Sequence, residues 1–139
     1  MKVKDMMHKG VECVSPDTAI NVIAKKMREL DIGAIPVASD GKLVGMVTDR
    51  DITIRCVADD GTMSKIKAKD VMTSGVVYCR DNQDVEDAVR IMEGKQIRRL
   101  PVLDEAMRMV GMVSLGDVSH ALPRDITGEV AKAVSAHHP

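Results

Sequence analysis

Displaced by 65 positions, the chain matches itself: Asp5, Met7, Gly10 and Val11 fall on Asp70, Met72, Gly75 and Val76, and Met27, Ile32, Pro36 and Val37 fall on Met92, Ile97, Pro101 and Val102. One net inserted residue in the second half then brings Gly45-Met46-Val47 onto Gly111-Met112-Val113. A self-match of this length marks one structural unit used twice. It restricts the fold more than any other feature, because both copies must make the same elements in the same order. Neither copy, at about 60 residues, buries much surface alone, so the apolar faces of the two need a partner.

The order of elements can be read from the periodicities. Ser15-Pro16-Asp17-Thr18 opens a predicted helix whose apolar positions, Ile20, Ile23, Ala24 and Met27, recur at i, i+3, i+4 and i+7. Val85, Ala88, Val89 and Met92 repeat that face. Each helix is followed by an apolar run (Ala34–Ala38 or Leu100–Leu103), a polar turn (Asp40-Gly41 or Asp104 to Arg108), and a second apolar run (Leu43–Val47 or Met109–Val113). Two such runs across a short turn predict a hairpin. A second helix begins near Asp49 or Leu115, and a first strand lies around Glu12–Val14 or Val76–Cys79. The expected fold is therefore α+β: two β-α-β-β-α repeats, residues 1–62 and 63–122, packed sheet to sheet about a pseudo-two-fold. Residues 123–139 add a C-terminal helical tail with a frayed end.

Composition removes several functions. Net charge is −1 with both signs interspersed, so the broad basic field of a nucleic-acid binder is missing. Tyr78 is the single aromatic residue, which leaves no platform for stacking bases; a flat ligand would have to lie between aliphatic and Met side chains. No run approaches the roughly 20 apolar residues that span a bilayer, and the N-terminus lacks an apolar signal region. No membrane partner is expected, and the expected location is cytoplasmic. Cys13, Cys56 and Cys79 are odd in number and form no C-x-x-C pair. They read as reduced thiols serving as small core residues, with redox sensing as the alternative. His8, His120, His137 and His138 lack the spacing of a metal site, and His137-His138 reads as a disordered end. No Walker segment, G-x-G-x-x-G or G-x-S-x-G turn occurs. No catalytic residue, metal or required cofactor is expected, and the chain does not read as an enzyme.

The chemistry is concentrated in one motif that occurs twice, GMVTDRDI (Gly45 to Ile52) and GMVSLGDV (Gly111 to Val118). Thr48 with Asp51, and Ser114 with Asp117, have the spacing of a capping box, in which the hydroxyl and the acid satisfy free N–H groups at a helix start. The same residues can serve as a clamp. A hydroxyl and unpaired helix N–H groups suit a phosphate, and a carboxylate can accept two hydrogen bonds from the vicinal diol of a ribose. Spacing alone leaves both readings open, and they are compatible.

These motifs, together with VKDMM and AKDVMT at the repeat starts and IGAIPV and IRRLPV before the middle strands, resemble the cystathionine β-synthase (CBS) domain pair, or Bateman module. The resemblance covers Val3 to about Leu122 in both repeats. It implies a regulatory module without chemistry of its own that binds adenosine nucleotides in the cleft between repeats. In the family, the hydroxyl of the G-h-x-[ST]-x-x-D segment lies near the phosphate and the Asp on the ribose hydroxyls.

Each family site draws on both repeats, which implies that the Asp51 site faces Arg98 and Arg99 and approaches Thr73 and Val76, with Arg50 beside the phosphate. The Asp117 site would face Gly33, Ala34 and Met6-Met7, with no Arg, and should bind phosphate less well. Each Arg also reads as an ordinary solvated charge. The functional expectation is a stand-alone sensor of AMP, ADP, ATP or a related adenosyl ligand (NAD or S-adenosylmethionine), homodimeric, acting on an effector protein that the sequence does not identify. The alternative is a structural oligomerisation module with vestigial clefts.

Overall fold

A computed structural model describes residues 1–59 and 62–135. Its elements are α1 (Val3–Met6), α2 (Ile20–Leu30), β1 (Ala34–Ser39), β2 (Lys42–Thr48) and α3 (Asp49–Ile52), which runs on as a π-helical turn through Thr53–Val57. They continue with α4 (Ala68–Val71), β3 (Cys79–Arg80), α5 (Val85–Lys95), β4 (Arg99–Leu103), β5 (Met109–Ser114), α6 (Leu115–Ala121) and α7 (Arg124–Ser135). The class is α+β, as expected. Among the described residues no helix is long and apolar enough to cross a membrane.

Two compact units result, and they are permuted relative to the sequence repeats. One is Glu12–Val76; the other joins Met1–Val11 to the chain from Val77 onward. We call them the Thr48 unit and the Ser114 unit. Each repeat therefore lends its first residues to the unit that holds the hairpin of the other repeat. The exchange follows the repeat symmetry residue by residue. Lys2 bridges Asp84 as Lys67 bridges Ala19, and His8 bridges Met112 as Thr73 bridges Met46.

In the Thr48 unit, β1 and β2 form the expected antiparallel hairpin, with a bulge between Val37 and Ala38. Its turn is Asp40-Gly41, both at positive φ, the backbone that a two-residue hairpin requires. The expected strand at Glu12–Val14 contracts to one parallel bridge, Val14 to Val37. It cannot extend, because the next amide, that of Ser15, is captured at 3.1 Å by the Thr18 hydroxyl, which turns the chain into α2. The core here is Val14, Ile20, Ile23, Met27, Ile35, Val37, Val47, Ile52, Cys56, Ala68 and Val71.

In the Ser114 unit a three-stranded sheet has the order β3-β4-β5, with β3 parallel to β4 and β4 antiparallel to β5. The first strand is Cys79–Arg80, at the C-terminal edge of the expected Val76–Cys79. It stops where the Gln83 side chain accepts from the Arg80 amide at 2.7 Å.

The two long helices differ in how wide a face they bury. On α5 all four expected positions, Val85, Ala88, Val89 and Met92, are buried. On α2, Ile20, Ile23 and Met27 are buried but Ala24, the equivalent of Val89, is exposed, contrary to the expected stripe. The cause is α7. It packs on α5 and α6 and places Val130 and Val134 in the same core as Val85 and Met92, and the Thr48 unit has no such helix among its described residues. Residues 124–135 are thus an integral helix of their unit, whereas the frayed end and His137-His138 fall outside the described residues.

The glycines of the two G-M-V segments are required by a close crossing. A Cβ on Gly45 would stand 2.4 Å from Met72 Sδ and 3.1 Å from the Thr73 carbonyl oxygen; one on Gly111 would stand 2.6 Å from Met7 Sδ and 2.7 Å from the His8 carbonyl oxygen. The borrowed opening segment passes directly over the middle of β2 or β5 in each unit. A methionine side chain can move aside, but a backbone carbonyl held in a bridge cannot. Gly111→Ala should therefore destabilise by about 1–3 kcal/mol, the usual cost of overpacking, and Gly45→Ala by less. Equal melting temperatures for the two variants in calorimetry would contradict this.

The thiols are placed as core atoms. Cys56 and Cys79 are buried and Cys13 half-buried, all three unbridged. Burial pushes the Cys79 thiol up to about 11 and raises that of Cys13 as well. The thiolate is the reactive form, so Cys79 in the folded protein should resist alkylation by iodoacetamide at pH 8 and react fully once the chain is unfolded. Peptide mass mapping of the two samples checks it.

Candidate functional site

The side chains singled out in the repeated motif stand where an edge strand runs into a helix. Thr48 ends β2 and caps α3 from an extended conformation; Ser114 does the same between β5 and α6. In each copy the cap is reciprocal. The Asp51 amide donates to Thr48 Oγ1 at 3.1 Å, and the Thr48 amide donates to Asp51 Oδ2 at 2.9 Å. In the other unit the Asp117 amide donates to Ser114 Oγ at 3.1 Å and the Ser114 amide to Asp117 Oδ2 at 2.8 Å.

Further amides are also satisfied. Asp49 N–H donates to the Gly33 carbonyl at 2.9 Å, Arg50 N–H to Asp49 Oδ1 at 2.8 Å, and Leu115 N–H to the Arg98 carbonyl at 2.8 Å. The capping reading is therefore realised in both units, and the free helix amides that a phosphate would use are already taken at Asp49, Arg50 and Asp51.

What the cap leaves over is one carboxylate oxygen per unit. Asp51 is a buried acid, 8% exposed, and its Oδ1 is outside the cap. The nearest cation is the guanidinium of Arg55, one turn on, at 3.8 Å. That guanidinium is anchored elsewhere: Nη1 donates to the Val71 carbonyl at 2.9 Å and to Thr73 Oγ1 at 3.3 Å. Arg55 thus links Thr73 to the side of α3 that carries Asp51. Arg55 itself was not among the expected residues, although an Asp-Arg pair at i, i+4 on a helix is a legible signal.

In the Ser114 unit the equivalent oxygen, Asp117 Oδ1, is 2.6 Å from His8 Nε2. The position equivalent to Arg55 is Ala121, and the one equivalent to His8 is Thr73. His8, too, was missed. The repeat symmetry that sets Thr73 near Asp51 sets His8 near Asp117, and that was the available clue.

The other expected residues are placed as follows. Arg50 is exposed on α3, and Val76 is half-buried at the end of the Thr48 unit. Arg98 and Arg99 are exposed at the start of β4, in the unit that contains Asp117 and not the one that contains Asp51. Arg98 Nη2 reaches Ser135 Oγ at 3.4 Å.

The CBS domain family model matches twice, over residues 3–57 and 68–124. The chain belongs to the CBS-domain family, as a tandem pair. It is 35% identical over 132 residues to hypoxic response protein 1 of Mycobacterium tuberculosis, an alignment covering 94% of this chain and 92% of that one. A crystal structure of Hypoxic Response Protein I, described with two coordinated zinc ions, superposes with a TM-score of 0.81 at 35% identity, covering 88% of this chain and all of the other.

Two further CBS-pair structures hold adenosyl ligands. CBSX2 of Arabidopsis thaliana, in complex with AMP, is 29% identical with a TM-score of 0.76, covering 86% of this chain and 94% of that one. The CBS domain pair of MJ0100, in complex with 5'-methylthioadenosine and S-adenosyl-L-methionine, is 28% identical with a TM-score of 0.77, covering 87% and 98%.

The cap itself is testable without any ligand. Thr48→Ala and Ser114→Ala should each lower stability by about 1 kcal/mol, and Thr48→Ser should be near neutral, because a hydroxyl cap contributes about that much. Chemical denaturation of the three variants measures it.

Proposed function

We propose that this CBS pair is a stand-alone sensor of adenosyl ligands, with Asp51 and Asp117 as the ribose acceptors and Thr48 and Ser114 beside the phosphate. The observation that carries the reading is Asp51 Oδ1. A carboxylate that is buried, fixed by its own helix cap and left with one oxygen outside that cap is prepared to accept hydrogen bonds from a diol. The adenosyl ligands of CBSX2 and MJ0100 support the class. AMP, ADP, ATP, NAD and S-adenosylmethionine share that ribose and are the ligands to test.

Arg50, Arg98 and Arg99 are exposed and carry the charge suited to phosphate, because a guanidinium presents a rigid fork of donors. Thr73, and Val76 beyond it, border the Asp51 site. Zinc, held by the tuberculosis protein, is a weaker candidate: among the described residues no three His, Cys, Asp or Glu side chains converge.

The output passes to an effector protein, in keeping with the regulatory role that the resemblance implies, and the ligand drives it by its differential affinity for two conformations. We assign it a cytoplasmic location and a homodimeric state, the second supported by the exposed Ile54 and Val57 on one helical segment.

Asp51→Asn separates the cap from the clamp. The Asn oxygen still accepts from the Thr48 amide, but its NH2 cannot accept from a ribose hydroxyl. Calorimetric titration with adenosine, AMP and ATP should show at least about a tenfold loss for Asp51→Asn, because hydrogen bonds to a charged group contribute about 1.5–3 kcal/mol. Asp117→Asn should cost less. Replacing Arg98 and Arg99 together with Ala should weaken AMP more than adenosine. An Asp51→Asn variant that binds as the wild type does would reduce TDRD to a helix cap; equal losses for adenosine and AMP would remove the arginines from the site.

A further inference from the structure

The two acceptor carboxylates have unlike neighbours, and the difference lies in one position of the repeat. Opposite Asp51 the bridged residue is Thr73, whose hydroxyl is turned to Arg55. Opposite Asp117 it is His8, whose imidazole reaches across to Asp117 Oδ1 at 2.6 Å, the oxygen that the cap leaves over. The backbone of His8 is fixed by two hydrogen bonds with Met112, from His8 N–H at 2.9 Å and to its carbonyl at 3.0 Å. Gly111 lets that segment lie close over β5. The side chain, by contrast, is open to solvent: the imidazole is 73% exposed, while the Asp117 side chain it covers is 10% exposed.

We propose that His8 is the residue that discriminates the second adenosyl site from the first, by occupying the oxygen of Asp117 that a ribose diol would otherwise take. The inference rests on the ligand reading given above. A ligand entering this site must first displace the imidazole, whereas at Asp51 Oδ1 the facing guanidinium of Arg55 is 3.8 Å away and held by Val71 and Thr73. The second site is therefore the weaker for every ligand with a free ribose diol, charged or not. This differs from the missing-arginine explanation, which penalises only phosphate-bearing ligands.

The experiment uses the full chain. Asp51→Asn silences the first site, and adenosine, which carries no phosphate, is titrated calorimetrically into Asp51→Asn alone and combined with His8→Thr or His8→Gln. Thr is the residue at the equivalent position of the other repeat and makes the same backbone bridge, so the fold should be kept. Gln retains an N–H donor that reaches the carboxylate. His8→Thr should bind adenosine about two- to fivefold more tightly than Asp51→Asn alone, the low end of what one hydrogen bond represents, and His8→Gln should restore the weaker affinity. In parallel, the His8 imidazole signals in proton–carbon NMR spectra, assigned by their loss in His8→Thr, should move in Asp117→Asn while those of His120 stay.

Unchanged or weaker adenosine binding by His8→Thr, in a chain whose wild type does bind, overturns the role of His8 and leaves the ligand reading standing. His8 signals indifferent to Asp117→Asn overturn it as well. A wild type that binds no adenosyl ligand, with no binding released by His8→Thr, overturns both.

Discussion

The crossing of each opening segment over a glycine in the neighbouring strand is the constraint on which the rest of the structure depends. Met72-Thr73 lies on Gly45, and Met7-His8 on Gly111, so closely that a single added carbon would meet sulfur or a carbonyl. Reciprocal backbone hydrogen bonds hold the crossing: His8 with Met112 and Thr73 with Met46, at 2.9–3.0 Å. Because those contacts are short and carry backbone bonds, the opening segment belongs physically to the hairpin it crosses and not to its own repeat. The permuted units follow from that.

The same crossing furnishes the candidate sites. It brings the residue after the crossing methionine, Thr73 or His8, to the end of the strand where Thr48 or Ser114 begins a helix. The helix cap then determines which carboxylate oxygen is free. One oxygen of Asp51 or Asp117 is bound to an amide three residues back; the other meets His8 of the crossing segment in the Ser114 unit, and in the Thr48 unit it faces Arg55, which is itself bonded to Thr73 of the crossing segment. Cap and clamp are therefore parts of one arrangement. Without the cap, the acid would be a flexible surface side chain with two solvated oxygens, and holding a diol would cost the entropy of ordering it.

The repeat has also diverged in a way that ties stability to function. α7 exists in one unit and buries Val130 and Val134 against the helix that carries Val85, Ala88, Val89 and Met92. The Thr48 unit instead leaves Ala24 exposed, and closes its core with Cys56, Ile52 and Met63 around a π-helical turn. That turn carries Arg55, whose guanidinium joins α4's last carbonyl to Thr73. A wider helical turn of this kind is often found beside functional positions. Here it sets a guanidinium 3.8 Å from Asp51.

The sequence by itself determined the repeat, the order of elements within it, the hairpins and the capping pairs. Each of these is set by residues within a few positions of one another: apolar side chains at helical spacing, Asp40-Gly41 at a tight turn, a hydroxyl three residues before an acid. Membership in the CBS family was legible for the same reason, since its motifs are short and occur twice. The tertiary structure alone decided which segment packs on which hairpin, that α7 is core, that Ala24 is outside, that Thr73 is joined to Arg55 and that His8 stands at Asp117. Those outcomes depend on contacts between residues far apart in the chain, His8 with Asp117 above all. Local periodicity carries no information about such a contact, because its energy exists only once the crossing over Gly111 has been made.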